Sequence, residues 1–227
     1  MTPDQPNRQR TRIKLCGLSR PEDVAVAVEA GADAIGLVFY PPSPRHVTPA
    51  QAGALLAGLP AYVTSVGLFV NPDVALVRDV VAAAPITMLQ FHGDETPEQC
   101  AQIAQVVRRP FMRAFRVRPE TGAQDLLEFE RLYRASGPLF SGLLLDTWSD
   151  AYGGTGKVFD WSLIPADIAR RAVLSGGLSV QNVTDAVRRV RPHAVDVSSG
   201  IEASKGVKDA ALMRAFVAAV RAADSNE

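Results

Sequence analysis

The sequence is poor in the features that mark several protein classes. It has two cysteines, Cys16 and Cys100, too few in 227 residues for a disulfide framework, and a reducing, cytoplasmic setting is expected. Charge of neither sign dominates: 24 Lys and Arg balance 24 Asp and Glu. No overall field therefore recruits nucleic acid or an anionic membrane, and any anion must be caught locally. The roughly 18 consecutive apolar residues of a membrane-spanning helix are missing. Three scattered histidines and two distant cysteines give no metal-ligand spacing, and no metal or other cofactor is expected. Met1 to Thr11, polar with two prolines and two arginines, lacks the apolar core of a signal peptide. It is expected to be a disordered tail ahead of one domain over residues 12–227.

Eight short apolar runs are present, separated by longer segments of helical period. They are Ile13–Cys16, Ala34–Phe39, Tyr62–Val70, Ile86–Phe91, Phe111–Phe115, Gly142–Leu145, Ala172–Leu174 and Ala194–Val197. Runs without polar alternation suit strands covered on both faces, hence a parallel sheet. Helix starts are marked by Pro21-Glu22-Asp23, Thr48-Pro49, Asn71-Pro72 and Thr96-Pro97-Glu98, each placing proline in a first turn, while Ser179 is the expected cap of the seventh helix. Helices near Gln124–Arg134, after Asp160 and over Lys208–Arg221 complete the series. Eight strand–helix units in about 200 to 250 residues indicate an α/β, single-domain (β/α)8 TIM barrel, with an open doubly wound sheet as the alternative.

Three glycine-rich loops follow the last three strands: Gly153-Gly154-Thr155-Gly156, Ser175-Gly176-Gly177 and Ser198-Ser199-Gly200. One such loop could be only a tight turn. Three on adjacent barrel strands predict a phosphate site built from backbone N–H groups, with Gly154, Gly156, Gly176, Gly177, Ser198, Ser199 and Gly200 as its candidates. The Walker A pattern fails at Ala151 and Val158, and a G-x-G-x-x-G pattern starting at Gly154 fails at Phe159.

Candidate reactive groups lie at strand ends. Cys16 closes the first strand on the same face as Lys14, which sits one pleat deeper, and is read either as a general base or as a buried inert thiol. Asp146 follows Leu143-Leu144-Leu145, where a carboxylate must cap, pair or work; a general acid and a backbone cap both fit. Asp196 contacts substrate or orients a neighbour. Arg45, in the proline-stiffened loop Pro41 to His46, could clamp a carboxylate or be solvated. His92, after the fourth strand, is a substrate-binding or structural histidine.

Taken in order, Lys14-Leu15-Cys16-Gly17, Ser43-Pro44-Arg45, Gln90-Phe91-His92-Gly93, Leu144-Leu145-Asp146, Gly153-Gly154-Thr155-Gly156, Ser175-Gly176-Gly177 and Asp196-Val197-Ser198-Ser199-Gly200-Ile201-Glu202 resemble the phosphoribosylanthranilate isomerase family from Arg12 to about Val220. Departures are mild: Leu15, Phe91 and Thr147 stand where the family often has Ile, an aliphatic residue and Ser. The resemblance implies a cofactor-free Amadori rearrangement of N-(5-phosphoribosyl)anthranilate in tryptophan biosynthesis, with Asp146 as general acid and Cys16 as general base. It also implies that Arg45 holds the anthranilate carboxylate and the glycine loops the phosphate. The expected partner is this phosphorylated small molecule, with no nucleic acid or membrane. A histidine-pathway sugar isomerase would use two aspartates, and Cys16 argues against it. A Schiff-base lyase would need a lysine at the rim, and Lys14 is set too deep. A non-catalytic phospholigand-binding barrel is disfavoured by Cys16, Asp146 and Arg45 occurring together.

Overall fold

The computed structural model describes residues 10–147 and 158–225. Its strands are β1 (Arg12–Cys16), β2 (Ala34–Val38), β3 (Thr64–Phe69), β4 (Met88–Phe91), β5 (Phe111–Val117), β6 (Phe140–Thr147), β7 (Val173–Leu174) and β8 (Ala194–Val197). They pair in parallel, in sequence order, into a closed barrel; β1 returns to β8 with Lys14 opposite Asp196. The barrel reading holds, and the open sheet is excluded by that last pairing.

Alternation along the strands divides the apolar residues into two sets. Met88, Met112, Ala114, Leu144 and Val173 pack together inside the lower barrel. The other set lies between sheet and helices. There a belt of rings runs from Phe39 through Phe69, Phe91 and Phe111 to Phe140, with successive centroids 5.2, 6.4, 5.6 and 5.6 Å apart. Phe91 is fully buried in this belt, which accounts for an aromatic ring at a position where an aliphatic one is common.

The helices are α1 (Pro21–Ala30), α2 (Pro49–Leu56), α3 (Val74–Ala83), α4 (Pro97–Val107), α5 (Ala123–Ala135), α6 (Ala166–Ala169), α7 (Val183–Val190) and α8 (Ala210–Ser225). At α2 and α4 the Thr-Pro starts form full capping boxes: Thr48 Oγ1 accepts from Gln51 N, and Thr96 Oγ1 from Gln99 N, with each glutamine reaching back to the threonine N–H. A cap of this kind stabilises a helix by about 1 kcal/mol.

Two expected helix starts are wrong. Asn71 has a left-handed φ of +47° and its Oδ1 accepts from Asp94 N, so it cannot cap α3; Asp73 does, accepting from Leu76 N. Ser179 lies before a turn in which its own N–H donates to Asn182 Oδ1, and α7 starts after Asn182. Asp160 caps only a 3-10 turn, Trp161–Leu163, ahead of the four-residue α6. A hairpin absent from the sequence reading, β9 (Glu202–Ser204) and β10 (Val207–Lys208), follows β8.

Most of the expected tail, residues 1–9, lies outside the described residues. Arg10 and Thr11, read as part of it, are anchored: Arg10 pairs with Asp33, and Thr11 donates through N and Oγ1 to Asp224. Among the described residues no helix is long and apolar enough to cross a membrane.

Candidate active site

A solvent-open cleft of about 700 Å³ lies over the C-terminal ends of the strands. Inward-facing alternation brings Cys16 from β1, Gln90 and His92 from β4 and its loop, Asp146 from β6 and Asp196 from β8 to its wall, together with Arg45, Ser175, Gly176, Gly177, Ser198 and Ser199. The thiol and the carboxyl group, 130 residues apart in the chain, thus face one cavity.

Asp146 is inside β6 rather than after it, because the strand runs on to Thr147. Its carboxylate is 7 % exposed, with Oδ1 accepting from Thr147 N at 2.9 Å and Oδ2 lying 3.0 Å from His92 Nε2. His92 Nδ1 in turn lies 3.0 Å from Gln90 Nε2. Gln90, His92 and Asp146 form a buried line, with Gln90 Oε1 lacking a partner among the described residues. Behind it the loop after β4 is fixed: Glu95 accepts from Asn71 N and Gly93 N, and Arg113 donates to Phe91 O and Gly93 O. His92 therefore sits on a rigid frame.

Asp196 has two partners, Lys14 Nζ at 2.8 Å and Ser175 Oγ at 3.2 Å. Burial opposes the Lys14 charge, but Asp196 and the Cys16 sulfur outweigh it and hold the ammonium protonated well above its usual range. Burial pushes the Cys16 thiol above its usual range; Lys14 and Lys208 hold the rise back without cancelling it, and Asp196 adds to it. Room for this cluster comes from Gly36 on β2: a Cβ there would stand 2.7 Å from Cys16 Sγ and 3.1 Å from Lys14 Nζ.

Arg45 is not solvated. Nε and Nη2 clamp Glu202 on β9 at 2.6 and 2.9 Å, and Glu202 also accepts from Lys208 Nζ at 2.8 Å. Burial works against the Glu202 charge, but Arg45 and Lys208 win and hold its carboxyl below the usual range. The edge formed by Nη1 and Nη2 is the part of the guanidinium left for a ligand.

The phosphate candidates divide. Gly176 requires its glycine: φ is +81°, and a Cβ would stand 2.3 Å from Thr147 N. Gly177, Ser198 and Ser199 share the cleft wall with it. Gly200 is not among the wall residues; it lets the loop after β8 approach Leu178 O, which a Cβ would meet at 2.0 Å. Gly154 and Gly156, with most of the Thr147–Lys157 loop, lie outside the described residues. Among the described residues no group of three or more His, Cys, Asp or Glu side chains is placed to hold a metal ion.

Sequence reasoning set Lys14 aside as too deep and gave no role to Gln90, Glu202 and Lys208. Lys14 and Gln90 carried a usable signal, since alternation puts them on the faces of Cys16 and His92. Lys208 and Glu202 depend on a hairpin of three and two residues, too short to show a period.

The sequence profile of N-(5'phosphoribosyl)anthranilate (PRA) isomerase matches residues 13–219. An N-(5'-phosphoribosyl)anthranilate isomerase of Herminiimonas arsenicoxydans is 63 % identical over 216 residues, covering 95 % of each chain. The solved phosphoribosyl anthranilate isomerase of Thermotoga maritima superposes with a TM-score of 0.82 at 40 % identity, covering 93 % of this chain and 99 % of that one. A phosphoribosyl anthranilate isomerase solved with reduced 1-(o-carboxyphenylamino)-1-deoxyribulose 5-phosphate gives 0.79 at 39 % identity, with the same coverage. With the match running from β1 into the last helix, this chain belongs to the N-(5'-phosphoribosyl)anthranilate isomerase family.

Proposed function

We propose that the protein converts N-(5-phosphoribosyl)anthranilate to 1-(2-carboxyphenylamino)-1-deoxyribulose 5-phosphate in tryptophan biosynthesis, by acid and base catalysis from Asp146 and Cys16. The observation that carries this reading is the convergence of the Cys16 thiol with the Asp146 and Asp196 carboxyl groups on a cleft also lined by Arg45, Gly176, Gly177, Ser198 and Ser199. The relative solved with the reduced product compound supports the same ligand class here.

Asp146 gives its proton to the ribose ring oxygen as the C1–O bond breaks, and the anthranilate nitrogen lone pair forms C1=N. Cys16, as thiolate, takes the C2 proton. The C–H electrons become the C1=C2 bond and the nitrogen recovers its lone pair. The enolamine then loses its hydroxyl proton and gains one at C1, giving the ketone. Substrate and product are isomers, so the atoms balance without a co-reactant. His92 holds the Asp146 carboxyl, and Asp196 orients Lys14. Arg45 offers its Nη1–Nη2 edge to the anthranilate carboxylate. Gly176, Gly177, Ser198 and Ser199 take the phosphate, with Gly200 supporting their loop and Gly154 and Gly156 completing the cradle. Each acid–base group supplies about 10²–10⁴-fold, and fixing both ends of the substrate supplies much of the rest.

Purified protein is expected to consume the fluorescent substrate and to restore growth of a tryptophan auxotroph lacking this isomerase. Binding of a product analogue without turnover would instead identify a non-catalytic barrel. Arg45→Ala is expected to raise KM by at least about tenfold with a smaller effect on kcat, since a charge-assisted hydrogen bond to a bound carboxylate is worth about 1.5–3 kcal/mol. An unchanged KM would assign Arg45 to the hairpin alone.

A further inference from the structure

We propose that Lys14 is a positioning residue for the base, its ammonium anchored on Asp196 so as to favour the Cys16 thiolate against the burial that opposes it. The inference rests on the assignment of Cys16 as the base and adds the group that enables it.

Lys14 and Cys16 are two residues apart on β1, so both side chains enter the barrel, and the lysine stem lifts Nζ from the layer below to the level of the sulfur. Nζ and Sγ flank the same bare position, Gly36, where a Cβ would lie 3.1 Å from one and 2.7 Å from the other. Lys14 is 3 % exposed and finds one carboxylate oxygen, Asp196 Oδ1 at 2.8 Å, while the other oxygen is taken up by Ser175. A buried ammonium carries three donors and needs further acceptors; the Cys16 sulfur, beside the same gap at Gly36, acts on its charge together with Asp196.

The charges around Cys16 pull both ways, Lys14 and Lys208 towards the thiolate and Asp196 against it, and the balance of the whole cluster favours an anion. Lys14 comes from β1, Asp196 from β8, Glu202 and Lys208 from the hairpin, and Arg45 from the loop after β2. Three cations face two carboxylates, and one thiolate makes the cluster neutral. His92 and Asp146 form a separate bonded pair across the cleft. Lys14 itself keeps its proton throughout: the C2 proton passes to sulfur, and the lysine only stabilises the charge that was there before.

The experiment follows the thiolate by its ultraviolet absorbance across pH, as the difference between each protein and its Cys16→Ala counterpart, so that Cys100 cancels. In the same pH series kcat is measured. Lys14→Met is expected to hold at least about tenfold less Cys16 thiolate than the parent at a given pH on the rising part of the curve. Its kcat should fall by a similar factor there and recover as pH rises, while Lys14→Arg stays close to the parent. If Lys14→Met does not fold, Lys14→Gln, which can still donate to Asp196, gives the same readout. Identical thiol titrations in the parent and the neutral variant would overturn the proposal whatever Cys16 does in turnover. A shifted titration that kcat does not follow would overturn the base assignment, and with it the role of Lys14 in turnover.

Discussion

Cys16→Ala is expected to lower kcat by at least about 10²-fold while KM changes little. The sulfur lies at the cleft wall, 3 % exposed, and its removal deletes one atom while β1 keeps its pairing to β2 and β8. The fold should therefore persist, which circular dichroism and thermal melting would check. The loss should fall on kcat because a proton acceptor acts only as the C2–H bond breaks, and Arg45 and the phosphate loops remain to bind substrate. Cys16→Ser gives the sharper contrast. A hydroxyl fits the same space and can hydrogen-bond Lys14, yet it supplies almost no anion near neutral pH, so it should be nearly as impaired as alanine. Turnover close to the parent in either variant would remove Cys16 from the mechanism.

A loss of similar size is expected for Asp146→Asn. The amide preserves shape and can still accept from Thr147 N through Oδ1. It has no proton to give the ring oxygen, so ring opening slows by at least about 10²-fold. The two losses differ in what accumulates. Without the acid, the closed ring substrate builds up on the enzyme. Without the base, ring opening continues and the imine becomes available to water or to reversal. Rapid-quench analysis of bound species would separate the two, and normal single-turnover ring opening in Asp146→Asn would transfer the acid role elsewhere.

The fold was largely legible in the sequence because strand burial and helix capping are local. Ala194–Val197 has the bounds read for it, and α1, α2 and α4 begin at the prolines that marked them. The misreading at Asn71-Pro72 shows the limit: the asparagine's backbone turned left-handed to meet Asp94, a contact 23 residues away that no local pattern records. Cys16 and Asp146 were legible as groups at strand ends, and they share one cleft. Their partners were less so, because Lys14 was ranked by the depth of its Cα, whereas its long stem decides where the charge stands. Arg45 was readable as a carboxylate clamp, but nothing near it in sequence announced that Glu202 would occupy half of its guanidinium.

That shared carboxylate limits how the barrel's rim can change. Glu202 serves two masters, the guanidinium of Arg45 from the loop after β2 and the ammonium of Lys208 from the hairpin after β8. Rims of this fold are often treated as interchangeable modules, each loop free to be traded without regard to the next. Here the segments after β2 and β8 are joined by one anion, so a graft at either would strand a cation at the other, and the pair must be exchanged together.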